Sequence, residues 1–150
     1  MAAAPDEAGT DRRGPKLAPF NPSGDVVIDT AFRLLELGPS DILVDLGCGD
    51  ARLLVAAASQ RGVSRCYGVE YDGAVYRRAV ARVAEQDAAV AERVRVRHGD
   101  ALQAQAEVAA ATAIFMYLVP TGMRAIAPQI IAAMRERGVR VVTYMFSLPG

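Results

Sequence analysis

The sequence lacks the features that most metal centres, disulfide-rich folds and membrane spans require. It has two cysteines, Cys48 and Cys66, and their separation matches neither a metal-binding motif nor a disulfide framework. No stretch is apolar and long enough to cross a bilayer, and the first residues have no signal-peptide hydrophobic region. These absences predict a soluble, cytoplasmic chain without a metal, in which both cysteines fill the core.

An excess of charge of one sign is also lacking. The 17 basic residues balance 17 acidic ones, so no global positive field exists to hold a nucleic acid, and a local basic patch is the alternative. The single histidine, His98, shares one face of an alternating strand pattern with Val94 and Val96. This pattern favours a partly buried structural histidine over a catalytic base.

The chain divides into a short tail and one domain. Residues 1–17 are rich in alanine, glycine, proline and charge without periodicity, which predicts a disordered tail. Residues 18–150 form the predicted domain, since a 150-residue chain that is 52% hydrophobic can bury one layered core.

Helical and strand patterns alternate along this domain. Continuous or alternating apolar patterns predict five strands, at residues 42–46, 66–70, 94–98, 113–118 and 139–146. Caps and apolar periodicity predict four helices: from Ser23 or Asp25 to Gly38, over residues 52–58, from Asp72 to about Ala89, and from Thr121 to Gly138, interrupted or restarted at Pro128. This rhythm indicates right-handed crossovers and therefore an α/β fold, a Rossmann-like doubly wound parallel sheet.

A glycine turn follows the first strand. Gly47 and Gly49 come directly after the apolar residues 42–46, and a helix begins shortly after them. Glycine has no Cβ atom, so the backbone can turn sharply and approach a ligand, and the N–H groups of the next helix can face an anionic group. Glu70 ends the second strand about 20 residues further on, where nucleotide-binding folds of this type keep a ribose-binding carboxylate. The combination predicts a ligand site.

The ligand is not expected to be a dinucleotide. In the G-x-G-x-x-G pattern the third glycine allows close packing of helix and strand over a pyrophosphate. Arg52 stands at that position here. A nicotinamide cofactor is therefore not predicted.

Residues 45–51 instead resemble motif I of the class I S-adenosylmethionine-dependent methyltransferases, which reads acidic-x-Gly-x-Gly-x-Gly. Asp45, Gly47 and Gly49 match this motif, and Ala51 replaces its last glycine. Alanine is small enough to keep helix and strand close. The resemblance implies the Rossmann-like methyltransferase fold and S-adenosylmethionine as the cofactor.

The resemblance also implies the residues of the site, which follow the carboxyl ends of the strands. In this family Glu70 would hold the ribose hydroxyls and Asp100 the adenine amino group, with a helix N-cap as the alternative role of Asp100. The implied cofactor-binding residues are Asp45, Gly47, Cys48, Gly49, Glu70, Tyr71, Asp100, Ala101 and Tyr117. The implied catalytic residues are Tyr117 and Pro120, in the methyl-acceptor loop, with a core aromatic at the rim as the alternative role of Tyr117.

Shorter elements are similar to one branch of the family. They are the Pro-rich residues 18–23, the turn at residues 45–50, Tyr-Leu-x-Pro at residues 117–120 and Phe-x-x-Pro at residues 146–149. This branch contains the protein-lysine methyltransferases that modify the ATP synthase c subunit and adenine nucleotide carriers. It implies a protein substrate with an acceptor lysine, and a mitochondrial location as the alternative to the cytoplasm. The alternatives are a methyltransferase of a small molecule or RNA, and a binding protein without catalysis.

One departure concerns the end of the sheet. The superfamily completes its sheet with an antiparallel hairpin of sixth and seventh strands, whereas the predicted strands here end with the fifth. We therefore expect strands 6 and 7 to be missing and the domain over residues 18–150 to be incomplete at its C-terminus. The edge at residues 139–146 would then be exposed to other strands.

Overall fold

The computed structural model describes residues 24–144. The predicted tail, the Pro-rich residues 18–23 and the Phe-x-x-Pro residues 146–149 lie outside the described residues. Along the chain the elements are α1 Asp25–Leu35, β1 Ile42–Leu46, α2 Arg52–Arg61, β2 Arg65–Glu70, α3 Gly73–Ala84, α4 Ala88–Ala91, β3 Val94–His98, a 3-10 turn Ala101–Gln103, α5 Gln105–Ala110, β4 Ala113–Met116, α6 Pro120–Arg137 and β5 Arg140–Thr143.

The five strands form one parallel sheet in the order β3-β2-β1-β4-β5. β1 therefore lies in the middle of the sheet. The chain adds β2 and then β3 on one side of β1, and afterwards adds β4 and β5 on the other side. The strand order reverses between β1 and β4, and the crevice beyond the carboxyl ends of such strands is where open α/β sheets bind ligands. The predicted doubly wound, Rossmann-like fold is confirmed.

Helices cover both faces of this sheet and bury two apolar clusters. One cluster lies under α1, α2 and α3, and its largest members include Phe32, Leu54 and Phe115. The other lies under α5 and α6 and includes Ile114 and Ile130. The central strands are buried on both faces, which explains their continuous apolar sequences.

Three predicted helix ends were wrong, and local caps explain them. α2 continues beyond the predicted residue 58 to Arg61, where Gly62 ends it with φ of 65°. α1 ends at Leu35, before the predicted Gly38, because Glu36 adopts a left-handed conformation with φ of 52°. Asp72 caps α3 as predicted, but this helix ends at Ala84 and a separate α4 follows. The Asp87 carboxylate accepts the Val90 N–H and caps α4, so the backbone leaves the helical path between them.

Pro128 does not interrupt the last helix, contrary to the prediction. α6 is continuous over 18 residues, with Pro120 at its first position and Gly138 as its C-cap. Arg124 and Pro128 both lie on the exposed face. Water can therefore hydrogen-bond the Arg124 carbonyl that the proline leaves without an N–H partner.

The fourth strand is shorter than the predicted residues 113–118. β4 ends at Met116, and Val119 is extended, with ψ of 161°, because the residue before a proline avoids the helical region. Tyr117 and Leu118 stay buried at the end of the strand. This short link brings the acceptor-loop sequence to the rim of the sheet.

Residues 24–144 contain no sixth or seventh strand, as predicted, and β5 forms one edge of the sheet they build. Over the same residues, no helix combines the length and apolar character that a bilayer crossing needs.

Candidate cofactor and acceptor site

The turn after β1 is bound to the neighbouring strand by its backbone. The N–H groups of Gly47 and Cys48 both donate to the Val69 carbonyl oxygen, at 2.9 and 3.0 Å. Gly47 and Gly49 have φ of 81° and 60°, conformations that glycine adopts at little cost. A Cβ atom added at Gly49 would meet nothing within 4 Å, so the turn faces open space at the rim.

Ala51, which stands where motif I has its last glycine, adopts a left-handed backbone conformation. Its φ is 70°, which costs an L-residue about 1–2 kcal/mol, and its side chain is fully buried in the cluster under α1, α2 and α3. Its N–H donates to the Cys48 carbonyl oxygen at 3.2 Å. The glycine turn therefore forms with alanine at the last glycine position of motif I.

Glu70 joins the glycine turn to the start of α3. It is 9% exposed, its Oε1 accepts the Gly49 N–H at 2.8 Å, and its Oε2 accepts the Asp72 N–H at 3.0 Å. Asp72 in turn accepts from the Ala74 and Val75 N–H groups and caps α3. A carboxylate has about four acceptor sites, so these two hydrogen bonds are compatible with the predicted ribose contact.

Asp45 is a buried carboxylate with an unsatisfied oxygen. The residue is 3% exposed, and its Oδ1 has no hydrogen-bond partner among the described residues. Burial raises the pKa of Asp45 well above its ordinary value, and the charges of Glu70 and Asp50 raise it further. A positively charged ligand would offset both effects. The arrangement therefore fits a cationic cofactor, and within residues 24–144 no group of three metal-ligating side chains occurs.

Asp50 is a site residue that sequence reasoning missed. It is 8% exposed, its Oδ1 accepts the Arg52 N–H at the start of α2, and its Oδ2 pairs with Arg82 of α3 at 3.2 Å. The anionic group at this helix N-terminus is thus supplied by the chain itself. In the sequence Arg82 resembles an exposed helix residue, and nothing in its local pattern indicates a partner 32 positions away.

Gly68 is a second residue that sequence reasoning missed. It pairs with Asp45 across β1 and β2, and the Cys48 side chain packs directly over it. Burial raises the pKa of the Cys48 thiol well above its ordinary value and that of Cys66 to about 12. Both cysteines belong to the cluster under α1, α2 and α3, so their predicted core-filling role is confirmed.

Gly68→Ala should destabilise the protein by about 1–3 kcal/mol and weaken cofactor binding, because the added methyl group overpacks the core under the glycine turn. The new Cβ would lie 2.6 Å from Leu54 Cδ1 and 2.7 Å from Cys48 Sγ. Thermal unfolding and calorimetric titration measure the two effects. Gly38→Ala is the matched control, since a Cβ there meets nothing within 4 Å. Equal melting temperatures for the two variants would contradict the packing argument.

The end of β3 adjoins Glu70. The Gly99 N–H donates to the Glu70 carbonyl oxygen at 2.9 Å, and Asp100 caps the 3-10 turn through the Leu102 N–H. The cap uses Oδ1, so the predicted adenine contact and the alternative capping role can coexist. Ala101 is 3% exposed under this cap, whereas Tyr71 is 47% exposed at the rim.

His98 is exposed, so the prediction of a partly buried histidine was wrong. Its Nε2 lies 3.0 Å from the Tyr71 carbonyl oxygen, and its ring stacks on Tyr76 with centroids 5.2 Å apart. These contacts give it the predicted structural role, and they are made at the surface because β3 is an edge strand.

The end of β4 carries the predicted acceptor residues. Tyr117 is 6% exposed, and its ring contacts Tyr144 edge to face, with centroids 5.0 Å apart. Pro120 is exposed at the first position of α6. The structure thus joins Glu70 to the glycine turn by a hydrogen bond, with Asp45 near them on β1 and Tyr117 at the end of the neighbouring strand β4.

Comparison with known proteins adds independent information. The family model of the ANTKMT methyltransferase domain matches residues 45–150. A protein-lysine N-methyltransferase from Saccharolobus islandicus (strain REY15A) is 26% identical over 132 residues, which is 88% of this chain and 79% of that protein.

Solved structures give the same picture of the fold. The crystal structure of an RNA methyltransferase from Salinibacter ruber, in complex with S-adenosyl-L-homocysteine, is 31% identical with a TM-score of 0.68, and the match covers 75% of this chain and 71% of that one. A SAM-dependent methyltransferase from Geobacter sulfurreducens, also in complex with S-adenosyl-L-homocysteine, has a TM-score of 0.64 at 23% identity, over 83% of this chain and 49% of that one. The second likeness concerns the fold alone.

Proposed function

This chain belongs to the ANTKMT methyltransferase domain family, and from that premise we propose that it transfers a methyl group to the side-chain amine of a lysine in a protein. The coarser activity is that of a class I S-adenosylmethionine-dependent methyltransferase. The lysine acceptor is our proposal. The observation that carries it is Tyr117, buried at the end of β4 across the crevice from the glycine turn and followed by Leu118 and Pro120.

S-adenosylmethionine is the cofactor, and the residues of the rim fit it. When bound, it supplies an activated methyl group on a positively charged sulfur. Gly49 leaves room for close approach, Glu70 offers carboxylate oxygens to hydroxyl groups, and Asp45 offers an unsatisfied buried oxygen to a cation. The predicted ribose contact of Glu70 and adenine contact of Asp100 remain part of this proposal.

The chain needs to align the acceptor and exclude water rather than supply a strong base. Tyr117 and the link from Leu118 to Pro120 would form the acceptor wall, which is catalysis by proximity and orientation. A lysine amine must lose its proton first, and an apolar wall beside a positive charge lowers its pKa in the required direction. His98 is not assigned to this step, because its Nε2 is bound to the Tyr71 carbonyl oxygen.

Two relatives support different acceptors. The protein-lysine N-methyltransferase from Saccharolobus islandicus and the family description support lysine. The RNA methyltransferase from Salinibacter ruber supports RNA as the second candidate at 31% identity. A formal net charge of zero favours lysine, since phosphate binding relies on excess basic residues.

Incubation with methyl-labelled S-adenosylmethionine and heat-treated cell extract should label protein, and hydrolysis of that protein should release methylated lysine. The extract without the enzyme is the control for residual activity. RNA and small molecules are separated and counted in parallel. Label found only on RNA or metabolites would refute the lysine assignment. Cofactor binding without any transfer would identify a binding protein without catalysis.

A further inference from the structure

Tyr144 lies beside the acceptor residue Tyr117 on the same face of the sheet. Phe115 of β4 pairs with Asp45 of β1 on one side and with Val142 of β5 on the other. Side chains two residues apart on a strand share a face, so Tyr117 and Tyr144 occupy the next row towards the carboxyl ends. The Tyr144 N–H donates to the Met116 carbonyl oxygen at 3.0 Å and extends the ladder by one residue.

The two rings meet edge to face. Their centroids are 5.0 Å apart and their planes are inclined by 68°, the geometry in which the positive edge of one aromatic ring faces the negative face of another. Tyr117 is almost fully buried, whereas Tyr144 is partly exposed. Tyr144 is therefore the outer member of the pair and closes the side of Tyr117 that faces β5.

A cleft lies on the other side of Tyr144. It has a volume of about 180 Å³ and runs between α1 and the ends of β4 and β5, lined mainly by apolar side chains. Val27, Ala31 and Tyr144 are among its walls. Truncation of Tyr144 would enlarge this cleft towards Tyr117, and the Tyr117 ring would lose its edge-to-face contact with Tyr144.

The same position keeps Tyr144 away from the residues predicted to hold the cofactor on β1 and β2. The order of the strands is β2-β1-β4-β5, so β5 lies two strands from β1 and three from Glu70 on β2. At about 4.8 Å between neighbouring strands, these separations are roughly 10 and 14 Å. Changes at Tyr144 should consequently act on the acceptor side of the site.

We propose that Tyr144 is a positioning residue for the methyl acceptor, which acts by fixing the ring of Tyr117 through their edge-to-face contact. The inference rests on the proposed function only in assigning Tyr117 to the acceptor wall. It assigns no contact between Tyr144 and the cofactor.

The test compares Tyr144→Ala and Tyr144→Phe with the wild-type protein. Methyl transfer is measured against increasing concentrations of heat-treated extract, and S-adenosylhomocysteine affinity is measured by calorimetry. For Tyr144→Ala we expect kcat/KM for extract acceptor to fall at least tenfold, while the Kd of S-adenosylhomocysteine stays within about twofold. Tyr144→Phe keeps the ring edge and should restore transfer to near the wild-type rate.

Val141→Ala is the matched control, because Val141 lies on the same strand and packs against the opposite cluster. It should lower the melting temperature without lowering transfer per folded molecule. Should Tyr144→Ala not fold, Tyr144→Leu replaces it, since leucine keeps apolar volume but has no aromatic edge.

Several outcomes would overturn the inference. They are unchanged transfer in Tyr144→Ala, a parallel loss of S-adenosylhomocysteine affinity, or failure of Tyr144→Phe to restore transfer. If the wild type labels RNA instead of protein, the lysine assignment fails, and the same ratios measured on RNA still decide the role of Tyr144. Absence of any transfer by the wild type would overturn both.

Discussion

Replacing Glu70 with glutamine should lower the affinity for S-adenosylmethionine by about tenfold or more. Glutamine has one acceptor oxygen, so either the Gly49 or the Asp72 N–H would lose its partner, and the predicted ribose contact would lose its charge. Charge-assisted hydrogen bonds contribute about 1.5–3 kcal/mol, which corresponds to at least a tenfold change in Kd. Calorimetric titration with S-adenosylmethionine and S-adenosylhomocysteine measures this change in Kd.

Glu92→Gln is the control for this substitution. Glu92 is an exposed glutamate just before β3, at the amino ends of the strands and so away from the rim that holds Glu70, and its loss should leave cofactor affinity unchanged. Thermal unfolding of Glu70→Gln should also show a loss of about 1–3 kcal/mol, because a part-buried backbone N–H is left unpaired. An unchanged Kd would remove Glu70 from the cofactor site and reduce it to a support for the glycine turn.

Replacing Tyr117 with alanine should reduce turnover by about 100-fold while the Kd of S-adenosylhomocysteine changes far less. Loss of the ring opens the acceptor wall, and an acceptor misplaced by about 1 Å can lose a factor of about 100 in rate. The hydrogen bonds from the Gly49 and Asp72 N–H groups to Glu70 do not involve the Tyr117 side chain, so this substitution leaves them in place. Steady-state transfer to extract protein, together with calorimetry, separates the two quantities.

Tyr67→Ala controls for the loss of a packed tyrosine ring. Tyr67 lies on β2 and packs against the cluster under α5 and α6, away from the rim. It should reduce stability but keep turnover per folded molecule. If Tyr117→Ala instead abolishes cofactor binding while the protein stays folded, Tyr117 belongs to the cofactor pocket and the acceptor assignment fails.

Local patterns were sufficient to predict the elements that build the site. The apolar run over residues 42–46, the glycines after it and the acidic end of β2 are each encoded within a few residues, because strand burial and positive φ depend on the residues themselves. The cap by Asp72 follows from one side chain and the N–H groups two and three positions on. The parallel topology was also predicted from the sequence, because a chain in which strands and helices alternate has few other ways to connect its strands.

Predictions failed where a competing cap or the position of an element in the fold decided the outcome. Asp87 ended the predicted long helix early, and Pro128 stays inside α6, on the exposed face of that helix. His98 was expected to be partly buried because it shares a strand face with Val94, but that strand lies at an edge where little covers its end.

By itself, the sequence determined the class of fold, the glycine turn and the carboxylate that accompanies it. Only the tertiary structure decided how these parts contact one another. Glu70 connects the glycine turn to the start of α3, Asp50 pairs with Arg82, and the Tyr117 ring contacts the Tyr144 ring. Local conformation depends on neighbours along the chain, which periodicity and spacing record. Contacts between residues 21, 27 or 32 positions apart depend instead on how packed elements bring strand ends to one rim, and no local pattern encodes that.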